Sequence, residues 1–516
     1  MVDSADTCPS SSFLIRCFLR RANTTPLFPL TLKTLFRQQN ILCIVRISAV
    51  CLLALSQSLS AALQVERPTE TLVAAPFSFS ESEAILARIK APVFPAHDFA
   101  ITEFGAVVGN DCTTAIRKAI EACNMAGGGR VVVPAGEWVT GAIHLKSNVN
   151  LYLAKGSILR FSTDPAAYLP VVQTRWEGIE CMNYSPFIYA WEQVNIAVTG
   201  EGTLDGAADW ANWWAWAKRG IDKKTLAAVD VIKLNELSSQ GVPVAQRVFG
   251  AGHHLRPSFF QPYRCRNVLI EGVTILRSPM WEVTPVLCTN VIVRNLKINS
   301  HGPNNDGCDP DSCHDVLIEG CLFDTGDDCI AIKSGRNEDG RRVGVPSENL
   351  IIRNCEMRDG HGGVVIGSEI AGGCRNVFVE NCKMDSPSLD RGLRFKSNAR
   401  RGGLVENVYM RNVQIGRVTE AILTVDHQYE EGAKGEFQPT VRNVVIENVT
   451  SQSSPRVMWI AGIPKGTIDN ILFKNCTFAG VEMAEVVENA RRITFENVSI
   501  TPAKKTLSLN TRPAMQ

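Results

Sequence analysis

The chain has 516 residues, enough for several domains or one elongated repeat domain, and 45% of them are hydrophobic against 20% charged. That balance supports a large packed core and excludes wholesale disorder. The formal net charge of +1 argues against a general binder of nucleic acid or membrane surfaces, which would carry a basic excess.

The first sixty-odd residues read as an address rather than as fold. Arg37 and Arg46 precede the apolar stretch from Ile47 to Leu55, and Ser60-Ala61-Ala62 offers the small residues of a signal-peptidase site. A leader over 1–62 predicts export, to the periplasm or beyond the cell. No other stretch approaches the roughly 18 apolar residues of a membrane span, so no membrane partner is expected. Of 17 cysteines, Cys8, Cys17, Cys43 and Cys51 lie in this leader, and the others include no CxxC pair. Cys321, Cys355, Cys382 and Cys476 return at one place in a repeat where a small buried residue is wanted, so most are expected to be unpaired core thiols.

Residues 63–97 read as a linker. After them, Asp111-Cys112-Thr113-Thr114 opens an amphipathic stretch with Ala115, Ile116, Ala119, Ile120 and Cys123 at helical spacing, closed by Gly127-Gly128-Gly129. A short helix there would cap the open end of a solenoid, which otherwise exposes unpaired strand edges. Val131-Val132-Val133 and Asn150-Leu151-Tyr152-Leu153 read as early rungs.

From residue 266 one phrase returns, as RNVLIEGVTI, TNVIVRNLKI, HDVLIEGCLF, ENLIIRNCEM, RNVFVENCKM, ENVYMRNVQI, RNVVIENVTS, DNILFKNCTF and RRITFENVSI. Its second residue is Asn267, Asn290, Asp315, Asn349, Asn376, Asn407, Asn443, Asn470 and Arg492 in turn, at intervals of 22 to 36 residues. Apolar residues alternate with period two and slip by one at Gly or Asn, which means two short strands and a bend. Such a unit cannot bury an apolar face alone, so neighbours must stack. The predicted class is all-β: a right-handed, single-stranded parallel β-helix over 98–500 with the capping helix at its N-terminal end, and a polar tail over 501–516. The interval between Asn195 and Asn267 breaks the rhythm and holds Trp210, Trp213, Trp214 and Trp216. These pack on the outer wall of the coil or line a sugar-binding cleft.

Polar residues concentrate between the repeats. Asp306, the pair Asp327 and Asp328, and His361 fall at similar distances past their markers, which in a solenoid means one column on one face with coils about 4.8 Å apart. Arg394 and Lys396, two apart on the next coil, point the same way from a strand. Two cations beside three acids could simply neutralise the column. They also suit a carboxylated sugar, held by its carboxylate while the acids work on its glycosidic bond. Asp306, Asp309 and Asp311 superficially suggest a calcium loop, but the spacing and the closing Glu are missing.

Four motifs in order, Asn304-Asn305-Asp306, Gly326-Asp327-Asp328, Gly360-His361-Gly362 and Arg394-Phe395-Lys396, resemble the N-T-D, G-D-D, G-H-G and R-I-K patterns of polygalacturonases of glycoside hydrolase family 28. Asn305 and Phe395 depart from the pattern at middle positions. The resemblance, over roughly residues 98 to 500, implies Asp327 as general acid, Asp306 and Asp328 as the pair activating water, and His361 as support for the protonation of the acid. It implies Arg394 and Lys396 as ligands of the galacturonate carboxylate, with Asn304 and Tyr429 as further substrate-binding residues. Three clustered carboxylates cannot all ionise cheaply, so one keeps a proton near neutral pH.

The implied activity is inverting hydrolysis of α-1,4-galacturonosidic bonds in pectin or polygalacturonate, by a monomer without cofactor or metal and without a nucleic-acid partner. Exo action is expected from the run Asn305 to Ser312, which resembles the bacterial exo-acting branch, and from extra residues around Arg336 to Pro346 and the long interval before Asn267, which could wall off one end of a cleft. The competing readings are a calcium-dependent pectate lyase, a rhamnogalacturonan-type hydrolase and a non-enzymatic β-helix adhesin.

Overall fold

Asn267, Asn290, Asn349, Asn376, Asn407, Asn443 and Asn470 all adopt the left-handed conformation, with φ between 57° and 61°. Asparagine tolerates this region better than other side chains because its short amide bonds locally. Here the amides also stack from coil to coil: Asn290 Nδ2 donates to Asn267 Oδ1 at 2.8 Å, Asn407 to Asn376 at 3.1 Å and Asn470 to Asn443 at 2.9 Å. The recurring marker of the sequence is therefore a turn residue and a ladder at once. A second left-handed position, at Asn295, Gly320, Asn354, Asn381, Asn412, Asn448 and Asn475, makes the bend where the alternation slips.

The computed structural model describes residues 79–217 and 225–503; the expected leader lies outside them. Successive coils pair in parallel register, Val268 with Val291, Val291 with Val316 and Val316 with Leu350, so each coil places its inward residue on the one before. Twenty-three strands join in one sheet, and six strands, from Ile330–Ile332 to Val486–Glu488, form a second face. The chain is the expected right-handed parallel β-helix. Helix Thr113–Met125 caps its first coils and buries Ala115, Ile116, Ala119, Ile120 and Cys123, the five residues whose spacing predicted it. All thirteen cysteines of the described residues are buried and unpaired.

The stretch expected as linker is not one where it is described. Helix Glu81–Arg88 runs across the outside of the large sheet and buries Ile85, with Ile89 just past its end, against Ala197, Leu269, Ile292, Leu317, Ile351, Phe378 and Tyr409. Arg88 fixes it by donating to both oxygens of Asp315 at 2.7 to 3.0 Å. Burial of the apolar outward positions is the physical reason: without a cover, a row of large side chains would face water. At the other end, strand Arg491–Pro502 takes in the first residues of the expected tail, and 504–516 lie outside the described residues.

The irregular region before Asn267 builds a wall. An antiparallel hairpin, Val172–Trp176 with Ile179–Asn183, carries Glu177 at its tip, and helix Ala228–Ser239 backs it through a cluster of Trp176, Ile179, Cys181, Leu234, Phe249 and Met280. Most of the tryptophans belong to the outer packing. Trp213 is buried against Tyr168 and Phe187, Trp216 stacks edge-on against Trp213 and His254, and Trp214 donates its Nε1–H to the Ser278 carbonyl. Trp210 is exposed.

Candidate active site

The site lies where the coils enter the six-stranded face. Cys308, Ile330, Val364 and Leu393 are in register on consecutive coils, and the residues just before them bring Asp306, Asp327, Asp328 and His361 together. The longer interval from Asn290 to Asp306 is absorbed by a turn that Asn305 ties down. Its Oδ1 accepts from Gly302 N at 2.7 Å and Ser300 Oγ at 2.8 Å, and its Nδ2 donates to the carbonyls of Ser278 and Met280. Asn305 departs from the family pattern, yet it positions the aspartate that follows it.

Oxygens of Asp306, Asp327 and Asp328 lie within 4.8 Å of one another. Such a set could hold a cation, but protein cations already surround it. Lys396 Nζ donates to Asp328 Oδ2 at 2.7 Å, Arg394 NH1 stands 3.7 Å from Asp328 Oδ1, and Lys333 Nζ stands 3.6 Å from Asp306 Oδ2. His361 Nδ1 is 3.0 Å from Asp327 Oδ1. Asp306 and Asp328 are buried, whereas the Asp327 side chain keeps 20% of its surface and is the acid a ligand can reach.

The electrostatics separate Asp306 from Asp327. Burial pushes the Asp306 carboxyl well above the usual range, and Asp309 and Asp327 add to this against Lys333. Burial would also raise Asp327, but the hydrogen bond from His361 and its charge, with Lys396 and Lys333 behind, bring it down to about 2. His361 is raised in turn, through its hydrogen bond to Asp327 and the charges of Asp327 and Asp328. In the free molecule the two acids are thus pushed in opposite directions, Asp306 towards holding a proton and Asp327 towards its charged form.

Asn304 and Tyr429 line the same pocket, of about 120 Å³. Asn304 Oδ1 accepts from Arg256 NH2 at 2.7 Å, and the Tyr429 ring lies 5.5 Å from Lys396 Nζ and 5.8 Å from the Arg394 guanidinium carbon. Every residue nominated from the sequence is therefore in or beside one pocket. Others there were missed, namely Glu177, Trp281, Lys333, Glu369 and Glu430, while Arg336 was expected only as part of a walling loop. Arg336 NH1 reaches Glu177 at 3.2 Å and Glu369 at 3.4 Å, and NH2 reaches Glu430 at 3.3 Å. These join the hairpin tip, the loop before helix Asn337–Val343 and the loop after Tyr429 into one wall of the pocket. The extra residues around Arg336 signalled part of it; the hairpin precedes the repeats and carries no motif.

The family profile described as glycosyl hydrolases family 28 matches residues 245–508, just over half of the chain and all four motifs. The chain belongs to glycosyl hydrolases family 28. Among relatives, it is 27% identical over 405 residues to a probable polygalacturonase from Vitis vinifera, covering 74% of each chain. It is 28% identical over 442 residues to an exo-poly-alpha-D-galacturonosidase from Dickeya chrysanthemi, covering 77% of this chain and 71% of that one. The crystal structure of a hyperthermoactive exopolygalacturonase from Thermotoga maritima superposes with a TM-score of 0.80 at 44% identity, covering 82% of this chain and 96% of that one. As a family 28 member the chain is a glycoside hydrolase.

Proposed function

We propose that this chain hydrolyses α-1,4-galacturonosidic bonds of polygalacturonate from a chain end, with inversion. The observation that carries the substrate is the pairing of Arg394 and Lys396 beside the acid cluster, two cations where a sugar carboxylate would lie next to the reacting bond. The likeness to proteins named polygalacturonase and exopolygalacturonase supports it.

Asp327 is the acid because it is the accessible carboxyl, and in the free molecule it is ionised. An anionic sugar changes that balance. Its carboxylate draws on the charge of Lys396 and Arg394 and adds a negative charge close to Asp327, both of which raise the affinity of Asp327 for a proton. The shared proton then moves from Asp306 to Asp327, and Asp306 becomes free to act as base beside Asp328. Water attacks the anomeric carbon, its proton passes to Asp306, the glycosidic C–O bond breaks, and the leaving oxygen takes the proton of Asp327. Inversion requires the water, held by Asp306 and Asp328, to attack the face of the sugar opposite the leaving oxygen that Asp327 protonates.

The wall of Glu177, Arg336, Glu369 and Glu430 supports exo action, because a wall across the path of a polymer stops it from running through the pocket. Export is supported by the leader-like stretch before residue 62, and the enzyme is expected to act as a monomer. Early-time chromatography on unesterified polygalacturonate tests the reading: one small product with slow loss of viscosity supports it, and a ladder of oligomers defeats exo action. Proton NMR of the first product should show the β anomer; the α anomer would overturn inversion.

A further inference from the structure

We propose that Lys333 is a positioning residue that keeps the carboxylate of Asp306 ionised when it acts as base, with the buried carboxylate of Asp309 opposing it. The proposal rests on the reading of Asp306 as the water-activating group. Lys333 directly follows strand Ile330–Ile332, in register with Asp311 on the coil before, and its side chain turns beneath the pocket. Its Nζ lies 3.3 Å from Glu369 Oε2, 3.6 Å from Asp306 Oδ2 and 4.3 Å from the centre of the Trp281 ring. Only 2% of the residue is exposed, so its charge is felt with little screening by water.

Asp306 depends on that charge. Its Oδ1 is buried without a hydrogen-bond donor, and among the described residues Lys333 is its one ion-pair partner. Three residues on, Asp309 has no exposed surface, and neither of its oxygens has a donor. Two buried carboxyl groups short of donors thus share the charge of one ammonium group, Asp306 as its ion-pair partner and Asp309 at longer range. Other charges reach the same place: Asp327 and Asp328 from the next coil, Glu282 from the coil before, Glu369 and Lys396 from the following coils, and Arg256 beside Asn304. Burial opposes the charge of Lys333, but Asp309, Glu369 and Asp306 hold it protonated, well above its usual range. Burial raises both Asp306 and Asp309, with Lys333 the cation opposing each.

The directions follow from charge. Removing the ammonium group makes Asp306 harder to ionise, so the acid limb of turnover moves to higher pH. Removing the Asp309 charge makes Asp306 easier to ionise, so the limb moves to lower pH.

The test is the pH dependence of kcat and KM on trigalacturonate for Lys333→Met, Asp309→Asn, the double variant and Asp306→Asn, with near-ultraviolet circular dichroism as the check of fold. Lys333→Met should move the acid limb up by about one pH unit or more, a tenfold loss on that limb, with KM within about twofold. Asp309→Asn should move it down, and the double variant should return towards the wild-type profile. Asp309→Asn carries the test alone if Lys333→Met fails to fold. Single variants that both lose activity without opposite limb shifts, or a KM that rises at unchanged kcat in Lys333→Met, would overturn the proposal. Turnover retained by Asp306→Asn would instead overturn the reading of Asp306 as base, and this inference with it.

Discussion

The ammonium group of Lys396 sits 2.7 Å from Oδ2 of Asp328, a carboxylate with no exposed surface. The cation expected for the substrate is thus also the partner of an acid. Lys396→Met should therefore have two effects. It should cost about 3 kcal/mol of stability, because a buried carboxylate loses its nearest charge and keeps only Arg394 at 3.7 Å. It should also weaken the use of polygalacturonate at least tenfold, since charge-assisted hydrogen bonds contribute roughly 1.5–3 kcal/mol. Thermal unfolding and kcat/KM report the two effects, and wild-type values for both would remove Lys396 from the site.

Asp327→Asn should lower kcat by about 10² to 10⁴, the usual contribution of a positioned acid, with an unchanged circular dichroism spectrum. Near wild-type turnover in the folded variant would exclude Asp327 as the acid.

His361 is held above its ordinary pKa of 6.5 by Asp327. A group raised in the folded protein contributes fully below its unfolded pKa and loses the contribution as pH rises through the folded one. The loss of unfolding free energy in His361→Asn should therefore be largest below about pH 6 and shrink at higher pH, as denaturant titrations across pH would show. A loss that grows with pH would reverse the assigned charge of the pair.

Reducing-end release should survive a chelator, with no unsaturated product absorbing in the ultraviolet. The cations around the acids are Lys333, Lys396, Arg394 and His361, supplied by the protein itself. Loss of activity in EDTA, restored by calcium, would favour the lyase reading.

Arg336→Ala should open the wall, since the guanidinium is what joins Glu177, Glu369 and Glu430. Longer products should then appear beside the single small one. An unchanged product pattern would place the block to the polymer elsewhere.

The coil was legible because turn geometry writes itself into sequence: the left-handed positions of each coil select asparagine, and the marker repeats. The column of acids was legible for the same reason, since register converts sequence interval into spatial neighbourhood. What lay outside the repeat was not. Helix Glu81–Arg88 left its trace in the outward residues Leu269, Ile292, Leu317, Ile351, Phe378 and Tyr409, which a solvent-facing position would not keep apolar, but that row becomes a signal only once the inner face is assigned. Glu177, Lys333 and Glu369 enter the pocket through contacts between distant segments, which no local spacing encodes. The opposite shifts of Asp306 and Asp327 also escaped, because they depend on the distance from His361 to Asp327 and on the burial of Asp306.

Thirteen buried thiols without a disulfide among the described residues have a practical consequence. Burial pushes the Cys123 sulfhydryl up to about 11 and those of Cys181 and Cys374 further, and all thirteen are buried and so shielded from reagents in the folded protein. Nothing in the described fold depends on oxidation, so a strongly reducing buffer or a bacterial cytosol should yield the same active enzyme. Each thiol becomes a reporter of opening: alkylation followed by mass spectrometry would date the exposure of individual coils during heating and show whether the solenoid unravels from an end or from the middle.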